Sequence, residues 1–527
     1  MPDSEQYVLA IDLGTSGPKA AVVSSAGEIR STGRATVTSH FFAGGGAEQE
    51  PDAVWEASKQ ACKDALSGSD VSPKDIVAVI CSSQYSSIVP VDASGRPTMN
   101  MILWLDQRGA KKRLKRLNGY PARADGPLAL LRWLRVHGMP PLGSGAESLS
   151  HIRWVKYACP EIYERTAKFL EPMDYLTLRF TGRMTANQCT AFMYMLTDNR
   201  RLNVTGYHPG LLRLSGLDEE KLPELLPVNA IVGNVLPDVA AELGLRTETR
   251  VVTALNDTQS GGMAGYAFMG NHAAMSVGST SVIITHVDFK KTDARHAILS
   301  MPSPVENTYF VMAENGVAGG ALEHFLENLV FADDSFGKLS ETERFEALGR
   351  AIADVRPGSE GVLFLPWMAG SIAPAADARM RGGFLNLSMK TTRSHMARAV
   401  LEGVALNLRW LRNPVERFAK RRFSHFLYYG GGAESDAWSQ IMADVLGSPV
   451  HQMARPQYAT CLGNALLAFE RLGRLSFDDF PGLVPIKRVY EPREENRAVY
   501  DALFEQFTSA FKNNRPIFRA LNTIEKQ

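Results

Sequence analysis

One pattern occurs twice in this sequence and limits what the chain can fold into: an apolar run, a tight turn of small residues, and a second apolar run. The first copy is Tyr7–Asp12, the turn LGTSGP, and Lys19–Ser24; the second is Ala273–Val277, the turn GSTS, and Val282–Thr285. Short apolar runs bounded by such turns read as buried strands. Further strands are expected at Arg30–Thr38, Ile76–Ser82, Val251–Ala254, Gly361–Pro366 and Phe426–Tyr429, with helices at Asp52–Ser67, Arg393–Phe418 and Asp436–Leu446. Residues 110–245 read as mostly helical. Alternating strands and helices give an α/β class. The repeated unit points to two related domains, and 527 residues are more than one hydrophobic core usually serves.

Composition removes several classes of function. The 57 Lys plus Arg are balanced by 56 Asp plus Glu, whereas nucleic-acid binders usually carry a clear basic excess. The longest apolar runs, such as Ile76–Cys81, fall far short of the roughly 20 residues that cross a bilayer. Neither nucleic acid nor membrane is therefore an expected partner. The chain opens MPDSEQ, acidic and polar rather than basic and then apolar, so no secretory leader is expected and residence is expected to be cytoplasmic. Cys62, Cys81, Cys159, Cys189 and Cys461 are scattered and form no C-x-x-C pair, which argues against a disulfide framework or a structural zinc. The histidines show no H-x-x-x-H or H-E-x-x-H spacing.

The chemistry is concentrated in the turns. In DLGTSGPK, from Asp12 to Lys19, small residues let backbone N–H groups approach a phosphate, Thr15 and Ser16 add hydroxyls, and Lys19 adds positive charge. Asp12 could hold Mg²⁺, since hard cations prefer oxygen; an ordinary hairpin turn is the plain alternative. It is not a Walker A loop: the sole Gly-Lys pair, Gly337-Lys338, lacks the upstream glycine and the following hydroxyl. No G-x-G-x-x-G occurs either. Gly278-Ser279-Thr280-Ser281 offers a second small, hydroxyl-rich turn, and two such turns across a cleft would clamp a polyphosphate. Gly430-Gly431-Gly432 would let a flat ligand or phosphate lie against bare backbone. Asp257, in LNDTQSGG, is placed to act as a general base, although an Asp after a strand is more often a helix cap. Trp104-Leu105-Asp106-Gln107-Arg108 combines a flat apolar face, an acceptor and a fork of donors, which suits a polyol as well as it suits a surface turn with a local ion pair.

Taken in order, IDLGTSGPKA, WLDQR, LNDTQSGGMAG, SVGSTS and GGGAESDAWSQIMADVLGSPV resemble the successive signatures of the FGGY carbohydrate kinases. EQEPDAVWEA, LEPMDYLTLRFTG and RAVLEGVALNLRWL are similar to the family too, and the likeness runs from about residue 7 to 473. The resemblance implies an α/β protein of two actin-like (ribonuclease H-like) ATPase domains around a central cleft where MgATP and a sugar meet. The divisions expected are an N-terminal domain over 1–255 with the sugar site and first phosphate loop, a C-terminal nucleotide domain over 256–480, and a C-terminal extension over 481–527 packing on both. By the same resemblance, Asp257 is the catalytic base and Asp12 the magnesium carboxylate. Gly14, Thr15, Ser16 and Lys19 form the first phosphate loop, and Gly278 and Ser279 the second. Gly319 contacts nucleotide, Gly432, Ala433 and Asp436 lie on the adenosine side, and Gln84, Trp104, Asp106 and Arg108 contact the sugar or polyol.

Some positions depart from the family. Gln84-Tyr85-Ser86 stands where xylulokinases have Gln-Met-His and glycerol kinases an Arg-Glu pair. Gly370-Ser371-Ile372 replaces the Gly-Glu-Arg of many pentulose kinases, and Glu434 occupies a position that is commonly basic. The expected activity is ATP-dependent phosphorylation of a small sugar or polyol hydroxyl, foremost a xylulose-type ketopentose. The alternatives are a kinase for glycerol or another polyol, and a catalytically weak sugar and nucleotide sensor. ATP and Mg²⁺ are the cofactors, and a homodimer is the candidate assembly. The picture places two carboxylates, Asp12 and Asp257, one from each half of the molecule, around the reacting phosphorus.

Overall fold

Every residue from Val8 to Leu13 except Asp12 is apolar because both faces of this strand are covered: Val8 and Ala10 enter one core, and Leu9, Ile11 and Leu13 another. Such strands belong in the middle of a sheet. The computed structural model containing them describes residues 5–121, 126–330 and 341–524. The first four residues and the Gly337-Lys338 pair lie outside the described residues.

Strand β1 (Tyr7–Gly14) turns into β2 (Gly17–Ser24) and then β3 (Ile29–Arg34), each antiparallel to the last. Helix α1 (Pro51–Ser67) packs Val54, Trp55 and Ala61 on this sheet and leads to β4 (Ile76–Ser83), which lies parallel to β1. β5 (Ile231–Asn234), β6 (Arg250–Val252) and β7 (Leu255–Asn256) complete the sheet, in the order β5-β6-β4-β1-β2-β3 with β7 also beside β4. After helix α2 (Asp257–Ala264) the plan repeats. β8 (Ala273–Val277) and β9 (Thr280–Val287) form an antiparallel hairpin, extended through β10 (Thr292–Asp293), β11 (Ile298–Pro302) and β12 (Tyr309–Val317). Helices α3 (Gly319–Phe325) and α4 (Arg393–Ala419) precede β13 (Phe426–Tyr429), which lies parallel to β8 as β4 does to β1. Helix α5 (Asp436–Leu446), β14 (Val450–Met453), helix α6 (Ala459–Arg471), β15 (Ile486–Tyr490) and helix α7 (Arg497–Ile524) follow. The second sheet runs β10-β11-β12-β9-β8-β13-β14-β15. From α7, Arg515 and Arg519 both pair with the buried carboxylate of Asp377, at 2.7 and 2.8 Å.

The structure differs from the sequence reading at several elements. The third strand stops at Arg34 rather than Thr38. Within 110–245, short strands at Lys168–Leu170, Thr185–Asn187 and Glu224–Leu226 interrupt the helices. Strand β12 was not anticipated because Glu314, Asn315 and Gly316 make its end look like a loop. No described helix is long and apolar enough to cross a membrane.

Helix α6 joins the halves. Its Leu462, Ala465 and Leu466 share one core with Val8 and Ala10 of the first sheet and Ala274 and Ile284 of the second. It crosses α2 so closely that a Cβ on Gly463 would stand 2.0 Å from the Ser260 carbonyl oxygen. Beside that contact, Asn464 Nδ2 donates to Ile11 O (3.2 Å) and Ser82 Oγ (2.8 Å), and its Oδ1 accepts from Ser260 Oγ (2.7 Å). Gly463→Ala must push the two helices apart, and overpacking of a close-packed core costs about 1–3 kcal/mol. The variant is expected to melt at a lower temperature than the wild type in a thermal scan; coincident melts would show that the crossing widens freely.

Candidate active site

Asp12 lies within β1, on the face turned toward α6, and not at the strand's end. Its Oδ1 accepts from Ser82 Oγ at 2.7 Å and its Oδ2 from Thr460 Oγ1 at 2.8 Å, which fixes the carboxylate from β4 on one side and α6 on the other. Beyond it only Thr15 and Ser16 separate β1 from β2, with Ser16 exposed at the tip. Lys19, opposite Asp12 in the hairpin register, reaches the other half of the molecule, where its Nζ donates to Gln457 O at 3.2 Å.

Asp257 opens α2. Asn256 caps this helix by accepting from Gln259 N at 2.8 Å, while Asp257 Oδ1 accepts from its neighbour's Thr258 N at 2.7 Å and Thr258 Oγ1 at 3.2 Å. Asp12 is opposite Ser82, and Asn256 is opposite Ser83, on the two flanks of β4. The two carboxylates thus hang from strands two spacings apart, roughly 9–10 Å between backbones. Asp12 lies in the first sheet and Asp257 directly follows one of its strands, which corrects the picture of one from each half: β7 pairs with β4, so Asp257 cannot leave with the second sheet. Burial, then the charge of Asp12, and to a smaller extent that of Glu314, push the Asp257 carboxyl up from the ordinary 3.8 to about 7.

The second half supplies the other wall. Gly278 and Ser279 are exposed in the β8–β9 turn. Gly319 N donates to Gly278 O and Ala318 N to Ser279 O, both at 2.8 Å. A Cβ on Gly319 would stand 2.3 Å from Gly278 O, so this approach of α3 to the turn requires glycine. Gly432 packs on Val277, the residue before the turn, so Gly278, Gly319 and Gly432 meet around one position. Ala433 is buried and its carbonyl accepts from Gln452 Nε2 at 2.6 Å. Asp436 is exposed; a hydrogen bond from Lys487 at 2.6 Å holds its carboxyl below the usual range.

On the sugar side expected from the sequence, Trp104 Nε1 donates to Gln84 Oε1 at 3.0 Å and Thr15 Oγ1 at 3.1 Å, and Thr15 Oγ1 also hydrogen-bonds Gln84 Oε1. This links the first turn to Gln84 and Trp104. The buried Gln84 Nε2 has no hydrogen-bond partner among the described residues. Asp106 is buried and accepts from Ala47 N (2.9 Å), Arg108 N (2.7 Å) and Arg108 Nε (2.8 Å). The Arg108 guanidinium also pairs with Glu48 at 2.6 Å and lies 4.0 Å over the Trp154 ring. Asp106 and Arg108 therefore form the local ion pair that was the plainer of the two readings of this turn. In the departing segment, Ser86 has a φ of 65°; its carbonyl accepts from His151 Nε2 at 3.1 Å, and Ser87 N donates to the buried Glu171 at 3.3 Å.

Sequence reasoning missed Glu314, Ser82, Thr460 and Asn464. Glu314 carried a signal, a lone carboxylate in the run YFVMA-E-NGV. Thr460 and Asn464 are four apart on one helix face, but nothing in the sequence ties that face to Asp12.

Residues 7–264 match the sequence model of the N-terminal domain of the FGGY family of carbohydrate kinases, and residues 273–470 that of its C-terminal domain. The xylulose kinase of Staphylococcus epidermidis is 26% identical over 523 residues, 99% of each chain. The gluconokinase of Bacillus licheniformis is 26% identical over 510 residues, 95% of this chain and 94% of the relative. Among solved structures, the gluconate kinase from Lactobacillus acidophilus superposes with a TM-score of 0.82 at 22% identity, covering 97% of this chain and 98% of that one. That likeness carries the fold, two actin-like ATPase domains about a cleft.

The raised Asp257 has a consequence for stability. Between about pH 4 and pH 7 the folded protein keeps a proton there that the unfolded chain has released. The group's contribution to stability is therefore full below about pH 4 and is lost as pH rises to about 7. Asp257→Asn is neutral throughout, so it should gain on the wild type over that window, by on the order of a few kcal/mol at most. Urea midpoints at a series of pH values measure this, and parallel curves for the two proteins would show ordinary ionisation of Asp257.

Proposed function

Because the chain belongs to the FGGY family of carbohydrate kinases, we propose that it transfers the γ-phosphoryl group of ATP to a hydroxyl of a xylulose-type ketopentose. The observation that carries this reading is the Asp257 carboxyl, half-buried within reach of the charge of Asp12 and pushed up to about 7. A general base works best when its pKa lies near the working pH. Asp257 accepts the proton of the attacking hydroxyl as oxygen bonds to phosphorus and ADP leaves.

The donor side fits the nucleotide. Gly14, Thr15, Ser16 and Lys19 on one hand, and Gly278 and Ser279 on the other, bracket the phosphates, while Gly319, Gly432, Ala433 and Asp436 take the nucleoside end. Magnesium ordinarily takes one or two carboxylates and fills its other positions with water and phosphate oxygens. Asp12, whose oxygens each accept only one hydroxyl hydrogen bond from the protein, fits that role beside Asp257. When bound, the ion offsets charge on the phosphoryl oxygens. Gln84, Trp104, Asp106 and Arg108 shape the acceptor side, where the last two act by holding the turn on which Trp104, 38% exposed, presents its ring. On this reading the protein is a cytoplasmic enzyme that draws on the ATP there.

Two outcomes follow. In an assay coupling ADP release to D-xylulose, D-ribulose, glycerol and D-gluconate, release should depend on a sugar and be fastest with a ketopentose. Release without sugar would mean an ATPase, and binding without release a sensor. Asp257→Asn should lower kcat by about 10²–10⁴-fold with little change in ATP affinity, and wild-type kcat/KM should rise with pH through about 7. Near-normal turnover by the variant would remove Asp257 from the role.

A further inference from the structure

On β12, the side chains of Phe310, Met312 and Glu314 share one face, since alternate residues of a strand point the same way. That face meets α2: a Cβ on Gly262 would stand 2.9 Å from Phe310 Cε2. Glu314 lies four residues farther along, roughly 13 Å, and its charge acts on Asp257 at the start of α2. Tyr85, from the segment after β4 in the first half, has Glu314 as its foremost charged neighbour, followed by Asp257. Tyr85, Asp257 and Glu314 are each half-buried, and the contact of β12 with α2 brings elements of both halves of the molecule together here. Across the sheet Glu314 stands opposite Val282, just beyond the β8–β9 turn.

The charges gathered here are one-sided. Asp12, Asp257 and Glu314 contribute carboxyl groups, the last two pushed up by burial, and the cations Lys19 and Arg108 each have a protein partner. Lys19 donates to Gln457 O, and Arg108 is shared between Asp106 and Glu48. Hydroxyl groups suit such a surface as donors; a substrate carboxylate would meet like charge in a partly desolvated site. Resting on the kinase reading above, we infer that Glu314 is a specificity residue of the acceptor site. Its carboxylate accepts a hydrogen bond from a second hydroxyl of the sugar and turns away acceptors that carry a carboxylate, so the substrates are neutral ketoses or polyols and not aldonates.

The test compares the full-length wild type with Glu314→Gln and Glu314→Asp, using D-xylulose and D-gluconate as acceptors and ATP binding as a check on folding. The wild type should favour xylulose in kcat/KM by at least about 100-fold. A hydrogen bond to a charged group is worth roughly 10–100-fold, so Glu314→Gln should raise the xylulose KM by about 10-fold or more, with kcat changed less. It should also narrow the preference over gluconate by about 10-fold, and Glu314→Asp should restore part of both. An unchanged xylulose KM and an unchanged preference in Glu314→Gln would overturn the assignment while leaving the kinase reading intact. So would a wild type that uses both acceptors equally well, an outcome that needs no variant to fold. A wild type inert toward every sugar would instead overturn the kinase reading itself.

Discussion

Two carboxylates held near one another in a recess closed by protein set the terms for everything else in this structure. Asp12 and Asp257 hang from the strands that flank β4, so their separation is set by the spacing of a hydrogen-bonded sheet and not by flexible loops. Burial first, and then the charge of Asp12, push the Asp257 carboxyl up. Asp12 is fixed by hydroxyls from Ser82 and Thr460, and Asp257 by the backbone N–H and hydroxyl of its neighbour Thr258.

The rest of the molecule keeps that arrangement in place. The two sheets share a plan, an antiparallel hairpin whose first strand runs parallel to a later one, and the two small-residue turns are the same hairpin ends in each copy. Helix α6 fastens the copies together through a small-residue crossing of α2 and through Asn464, which satisfies backbone and side-chain groups on β1, β4 and α2. A single helix therefore supports Asp12 through Thr460 and packs against the helix that begins at Asp257. Displacing it would loosen both carboxylates at once.

The acceptor side is built differently. Its polar residues spend much of their bonding capacity on one another: Trp104, Gln84 and Thr15 form one group, and Arg108, Asp106 and Glu48 a second. Such networks hold a surface rigid in one shape. Asp257 and Glu314, one from each half of the molecule, are both half-buried, and their charges both act on the half-buried Tyr85.

Much of this was legible in the residues alone. The duplicated strand-turn-strand unit, the α/β class, and Asp12, Asp257 and both small-residue turns follow from local pattern, because a buried strand and a tight turn each impose their composition within a few residues. Ordered motifs along most of the chain identified the family for the same reason. What the sequence could not supply is long-range. That β7 pairs with β4, so that Asp257 belongs to the first sheet, depends on strand pairing across more than half of the N-terminal portion. That Thr460 and Asn464 reach β1 depends on where α6 lands. Glu314 looked like a loop residue until a sheet neighbour placed it on a strand facing the recess. Local chemistry determined which groups could react; only the packing of sheets and helices decided which of them share a space, because proximity across hundreds of residues is set by the fold's hydrogen-bonded register and core and leaves no periodic trace in the chain.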